Sequence, residues 1–214
     1  MAMEMTAAAH LGPAADKLRL RQWGLWLFFV SEAFLFGAVA SSRFFLAGLE
    51  PGHVDQALGL AVTSVLLTSS LTAYLAEAAA EEGDRQGLVR YLAATIVLGL
   101  LFMAGVGLEW SRAHFKPSDH FGTAFFAMTG LHSSHVASGI VLLALVLGHA
   151  RAGRFLPEGC ICSRLWPWRW CPHPRPRPHR EQLWPVEATV KYWHFVDVVW
   201  VFFYPILYLM SWPS

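Results

Sequence analysis

Five stretches of this chain, at roughly 23–46, 57–80, 89–110, 121–149 and 188–211, are apolar over about 20 residues or more, the length of helix that crosses a bilayer core. Only helices or closed barrels satisfy their own backbone hydrogen bonds in lipid, and runs of this length select helices. The composition agrees. Charged residues make up 14% of the chain, where a soluble domain carries about 25%, and the mean hydropathy is +0.41. The chain therefore reads as an all-α, polytopic membrane bundle of five helices. A segment 1–22 precedes one membrane domain, 23–214, with room for no sizeable soluble domain. The formal net charge of +1 gives no basis for nucleic-acid binding.

The placement of the charges carries more than their sum. Lys17, Arg19 and Arg21 precede the first span, Arg85 and Arg90 sit at the second connection, and the long connection holds Arg151, Arg154, Arg164, Arg169, Arg175, Arg177 and Arg180. The other side has Arg43, Arg112 and Lys116. Basic residues mark the cytoplasmic face, so the N-terminus is expected inside and the C-terminus outside. Ala38-Val39-Ala40 after an apolar run imitates a signal-peptide cleavage site. The run is too long for one and holds Glu32 in its middle, which favours an uncleaved first helix.

An ionisable group at membrane depth costs about 2.5–3.5 kcal/mol on insertion scales, so each one needs a partner or a purpose. Glu32 lies about nine residues beyond Trp23, or about 14 Å along the axis. A carboxylate there is protonated or paired, serving either proton traffic or helix packing. His132 and His135, three residues apart, share a helix face. They are either metal ligands converging with groups such as Glu32 and His194, or core histidines hydrogen-bonded to a helix neighbour or to Glu32; the second is favoured. Lys191, His194 and Asp197 trace one face of the last span, with Lys191 able to snorkel and Asp197 able to pair with His194 or another helix. Thr63, Ser64, Thr68, Ser69 and Ser70 suit close packing and hydrogen bonding between helices. Gly130 and Gly139 suggest close contact, and Pro205 should kink or loosen the last helix. Glu109 and Trp110 read as a solvated acid and an aromatic belt residue at a membrane interface, and Glu82-Gly83-Asp84-Arg85 as a turn with a surface ion pair.

Residues 151–186 differ from the rest, being rich in Pro, Arg, Cys and Trp. The alternating prolines of 172–178 favour an extended path. Cys160, Cys162, Cys171 and His173 form a candidate soft-metal set, but C-x-C followed by C-x-H is not a zinc-finger spacing. Facing the cytoplasm, the cysteines should be reduced. The simpler reading is a basic, aromatic loop lying on anionic lipid or a partner.

Four stretches resemble, in order, subunit III of the haem-copper oxidases, the cytochrome c oxidase subunit III family. They are Ser31-Glu32 with Phe36, the run from Thr63 to Arg85, the run from Thr123 to Gly139 with its Gly130, His132 and His135, and Trp193-His194-Phe195-Val196-Asp197-Val198-Val199-Trp200. The chain is similar to the short five-helix bacterial form, without the two additional N-terminal helices and lipid-filled cleft of the long form. The resemblance implies a multi-pass subunit of the bacterial inner membrane that has no catalytic residue and no cofactor of its own. Haem and copper would belong to partner subunits, and bound phospholipid is expected. The partners would be the catalytic subunit I, subunit II and other respiratory-complex subunits, with cytochrome c or quinol reached only through the complex. Glu32, His132, His135, His194 and Asp197 would be packing or proton-path-modulating residues. Glu109, Arg151, Arg154, Trp193 and Trp200 would be contacts to lipid or a partner, with Arg151 or Arg154 meeting a phosphate. The loop 151–186 is longer than in the family and takes no role from it.

Other classes compete. A proton-coupled transporter could use Glu32, the histidine pair and Asp197 as a relay, but no internal repeat is visible. A membrane cytochrome could use His135 and His149, fourteen apart on one helix, although His194 completes at most one bis-histidine site. Within the family, a quinol oxidase or nitric-oxide-reductase-associated homologue would differ only in its partners.

Overall fold

The computed structural model describes residues 13–48, 54–155 and 180–210. They form five helices: α1 (Pro13–Ala47), α2 (Gln56–Glu81), α3 (Arg85–Arg112), α4 (His120–Arg151) and α5 (Arg180–Tyr204), the last continued by a π-helical turn, Pro205–Leu209. All five are long and apolar enough to cross a membrane, and no strand occurs among the described residues.

The helix bounds follow local chemistry. α1 starts ten residues before its apolar run, because Pro13 opens a helix well and Asp16 in the first turn suits the positive end of the helix dipole. The basic residues Lys17, Arg19 and Arg21 thus ride on α1 itself. α5 likewise starts at Arg180, inside the stretch expected to be loop, once the proline run ends at Pro178. Asp55 caps α2, its side chain accepting from the Leu58 amide at 3.1 Å. Between α2 and α3 the chain reverses at Gly83, whose φ of 71° is open to glycine at little cost. The Asp84 amide reaches back to Ala79 O at 2.8 Å. This tight turn makes α2 and α3 antiparallel neighbours.

Arg85 does not make the expected surface ion pair. Its Nε donates to Ala150 O at 3.0 Å and its Nη2 to Arg151 O, so the guanidinium caps the C-terminus of α4. Pro205 loosens the end of α5 as its sequence suggests. It has no amide to offer Val201, the turn widens, and the Met210 amide bonds Pro205 O, five residues back, at 3.0 Å.

The helices pack as α2 against α3 and α5, α3 against α4, and α4 against α5, with α1 laid on α4 and α5. Small residues permit the close approaches. Trp193, 1% exposed, is clasped between Gly99 of α3 and Gly139 of α4. A Cβ on Gly99 would lie 2.7 Å from the indole and one on Gly139 2.9 Å from it. Gly105 of α3 seats Val62 of α2 in the same way, and Gly59 of α2 seats the Tyr208 ring. Gly130, by contrast, meets only the Trp110 ring, and no closer than 3.5 Å.

Replacing Gly139 with Ala should therefore force Trp193 to move and cost about 1–3 kcal/mol. Gly148→Ala, at a helical position with nothing within 4 Å, should be neutral or stabilising. Thermal unfolding of the two variants in the same detergent checks the contrast; an equal fall in both would contradict it.

Candidate functional site

Most of the polar contacts between helices fall into three groups; outside them Thr72 Oγ1 bonds Thr95 Oγ1 across α2 and α3 at 2.8 Å, and the buried Arg43 of α1 lies 4.8 Å from the centre of the Phe121 ring of α4. The first joins α1 to α4. Glu32 Oε2 lies 3.1 Å from His135 Nε2, and His135 Nδ1 lies 2.9 Å from Leu131 O. A carbonyl can only accept, so Nδ1 carries a proton. Ser134 cannot supply that proton, since its hydroxyl donates to Leu131 O at 2.6 Å. In a neutral ring Nε2 is then a bare lone pair, and Glu32 must bring the hydrogen. The alternative is imidazolium facing carboxylate. Either way one proton is shared and the pair is neutral as a unit, which removes most of the cost of its depth. Phe36 covers the ring at 4.7 Å between centroids. The His135 carbonyl accepts from Ser138 Oγ (2.8 Å) and Tyr192 Oη (3.2 Å), extending the group onto α5.

The second group runs along the α2–α5 interface. Gln56 Nε2 donates to Tyr208 O (2.9 Å), Trp200 Nε1 to Thr63 Oγ1 (3.0 Å) and Trp193 Nε1 to Ser69 Oγ (3.0 Å), while Ser70 Oγ bonds His194 Nδ1 (2.7 Å). Trp193 and Trp200 are each 1% exposed, so neither is the lipid or partner contact expected of it. Each indole offers one donor, and a buried donor must find an acceptor inside the bundle. Asp197 is buried on the same face. Ser70 lies beside it, but neither carboxyl oxygen has a partner in hydrogen-bond geometry. It does not pair with His194. Lys191 pairs with Glu187 one turn away.

The third group lies where α3 ends beside the π-turn. Glu109, expected as a solvated acid, is 5% exposed and accepts from Tyr208 Oη at 2.6 Å, with no hydrogen bond to its other oxygen. Trp110 stays half-exposed, its Nε1 donating to Thr129 Oγ1 at 3.1 Å, as an interfacial tryptophan can.

His132 departs from expectation. It is fully buried, yet neither ring nitrogen has a hydrogen-bond partner. It packs among rings instead, 4.8 Å from Trp200 and 5.6 Å from Phe102 between centroids. His132 and His135 do not act as a pair, for only His135 reaches Glu32. Among the described residues no group of three His, Cys, Asp or Glu side chains is placed to hold a metal ion. Cys160, Cys162, Cys171 and His173 lie outside the described residues. Reading the sequence alone missed Tyr208, Tyr192 and the particular hydroxyls chosen by the indoles. The available signal was the cluster of hydroxyl residues from Thr63 to Ser70 on α2 and the pair Trp193 and Trp200, seven apart on one face of α5.

Beside the first group, α1, α4 and α5 enclose a mostly apolar groove of about 510 Å³, lined by Leu25, Phe28, Leu142, Val146, His149 and Tyr192 among others. It lies at the end of the bundle that carries Arg151 and Arg154.

Comparison with known proteins gives a consistent result. The family model for cytochrome c oxidase subunit III matches residues 2–156. Cytochrome c oxidase subunit 3 of Neurospora crassa is 34% identical over 200 residues, covering 86% of this chain and 65% of its own length. That of Artemia franciscana is 32% identical over 200 residues, covering 87% of this chain and 68% of its own. Probable cytochrome c oxidase subunit 3 of Mycobacterium leprae is 28% identical over 197 residues, with 87% and 85% covered. The chain thus spans 65% of the length of the Neurospora crassa protein.

Two measurements test the geometry. Glu32→Gln keeps a hydrogen for His135 Nε2 and should stay within about 0.5 kcal/mol of wild type, whereas Glu32→Ala orphans the nitrogen and should cost about 1–3 kcal/mol. Unfolding in detergent separates these, and equal losses would refute the shared-proton pair. A double-mutant cycle on Trp200→Phe and Thr63→Val should show a coupling of about 0.6 kcal/mol, the mean for interhelical bonds in a membrane bundle. A coupling of zero would mean that the indole bond adds nothing to helix association.

Proposed function

Because this chain belongs to the cytochrome c oxidase subunit III family, we propose that it is the non-catalytic accessory subunit of a proton-pumping respiratory terminal oxidase, one that reduces O₂ to water, in a bacterial inner membrane. The family match over residues 2–156 carries this reading. In it, the chain assembles with the other oxidase subunits, and haem and copper reside in subunits I and II. It stabilises the catalytic subunit and its proton uptake.

The way the buried polar groups are spent supports a structural role. Glu32 is committed to His135, Thr63, Ser69 and Ser70 to α5, and Glu109 to Tyr208. These bonds fix helix positions; they do not gather around a common point where a substrate could react. The single shared proton of Glu32 and His135 suits a residue pair that tunes a neighbouring proton path. The charge placement supports an N-terminus inside and a C-terminus outside, with Arg85, Arg151 and Arg154 at the cytoplasmic surface.

The groove between α1, α4 and α5 supports lipid binding. Its apolar walls suit an acyl chain, and Arg151 and Arg154 follow His149 closely enough in sequence to offer charge to a phosphate at the inner leaflet. The loop 151–186, rich in arginine and tryptophan, then serves as a basic contact surface for anionic lipid or a partner.

The test is purification of the tagged full chain from its native membrane in mild detergent, with a reduced-minus-oxidised spectrum and identification of co-purifying bands. A haem-copper spectrum that travels with a large catalytic subunit, and is lost when this chain is separated from it, is expected. Haem retained on the isolated chain would overturn the reading in favour of a membrane cytochrome. A chain with neither haem nor partners would point to an independent transporter.

A further inference from the structure

A second cavity, of about 400 Å³, opens where α2 begins and α3 ends, at the end of the bundle remote from Arg85, Arg151 and Arg154. Its lining combines Asp55, Glu109, Arg112 and His114 with the apolar side chains of Leu58 and Phe115. Asp55 and Arg112 are exposed, while Glu109 is nine-tenths buried and lines the cavity from within. Both carboxyls have capacity left. Asp55 spends Oδ1 on the Leu58 amide, and Glu109 spends Oε2 on Tyr208 while its Oε1 bonds nothing. Although Arg112 is on the same helix as Glu109, it forms no ion pair with either acid.

The cavity thus offers two carboxylates and one guanidinium around an apolar wall, at the depth of helix ends in a membrane-crossing bundle. Among the described residues no three side chains are placed to share a metal ion. A zwitterion with a primary ammonium and a phosphate matches the charges. We propose that this cavity binds the headgroup of phosphatidylethanolamine, with the ammonium between Asp55 and Glu109 and the phosphate on Arg112. A primary ammonium has three hydrogens to donate, as a lysine does, whereas the quaternary ammonium of choline has none. A headgroup with no cation, such as glycerol phosphate, brings a second negative charge to the acids and is repelled. The ethylene and glycerol carbons lie along Leu58 and Phe115. The inference rests on the chain crossing a membrane and not on its part in an oxidase. It also concerns a different place from the groove between α1, α4 and α5.

The experiment reconstitutes the purified full chain in nanodiscs of phosphatidylethanolamine, phosphatidylcholine or phosphatidylglycerol with matched acyl chains. Lipid retained after extraction is then counted by native mass spectrometry. One phosphatidylethanolamine per chain should be retained, about tenfold over phosphatidylcholine, as loss of a charge-assisted hydrogen bond implies. Glu109→Gln keeps an acceptor for Tyr208, and Asp55→Asn keeps the helix cap, so the double variant should fold with unchanged far-ultraviolet circular dichroism and lose the preference. Arg112→Gln should weaken retention of phosphatidylethanolamine without favouring phosphatidylcholine. Equal retention of the two lipids by wild type, or an unchanged preference in the double variant, would overturn the proposal. So would carbodiimide cross-linking of Asp55 to a lysine of a co-purified subunit in the intact complex, because the cavity would then hold a protein side chain. None of these outcomes bears on whether the chain co-purifies with haem.

Discussion

Water is absent from a bilayer core, so a polar group buried between helices must be answered by another helix. The α2–α5 seam is where this chain meets that demand most often, with Asp197 as its exception. The two helices run antiparallel, and their partners advance in step: Gln56 with Tyr208, Thr63 with Trp200, Ser69 with Trp193, Ser70 with His194. Two of these bonds use large indoles that also fill the centre of the bundle. Trp193 reaches across to Gly99 of α3 and Gly139 of α4, and Trp200 packs against the tilted His132 ring and edge to face with Phe102. A single seam therefore sets the register of α5, the depth of α2 and the closeness of α3 and α4. Each interhelical bond is small on its own scale, but the bonds share side chains with the packing, so a shift in one must displace the other.

Much of this was legible in the chain, and the part that was not has a physical explanation. Periodicity and length are enough to count membrane helices, because lipid imposes a minimum span. Helix ends are less visible. Pro13 and Arg180 start helices outside the apolar runs, where propensity and capping decide and hydropathy is silent. Hydroxyl residues in α2 could be expected to bond across the interface, yet not which hydroxyl meets which indole, since that depends on helix rotation. Glu109 looked solvated because it lies near a helix end. The π-turn at Pro205 brings Tyr208 over it, and no local pattern around Glu109 encodes that distant residue.

Burial of histidine has opposite outcomes three residues apart. His135 has a carbonyl for one nitrogen and a carboxyl for the other, so every ring position is assigned. His132 has neither, and its stability comes from aromatic contacts with Trp200, Phe102 and Phe203. The two lie three residues apart on α4, and one helix face is wide enough to divide between two neighbours. His135 turns toward α1, while His132 turns into the centre, where α5 supplies rings and no acceptor.

That division determines how α1 is held. Most of the surface of α1 remains open, including Trp23, Leu27, Phe34 and Phe45. Its attachments are mostly aromatic, among them Phe28 against Tyr192 and Arg43 over the Phe121 ring. Phe29 stacks on Phe195 at 4.9 Å, Phe36 packs on His135 and Phe203, and Glu32 bonds His135. The same helix forms one wall of the groove through Leu25 and Phe28, about one to two turns from Glu32. A change in the Glu32–His135 bond therefore acts on the helix that closes the groove, and an acyl chain seated there would press back on the same helix. If a lipid seats there, proton sharing in the first group would be coupled to it through the position of α1 and through Ser138 and Tyr192, which bond the His135 carbonyl and also line the groove.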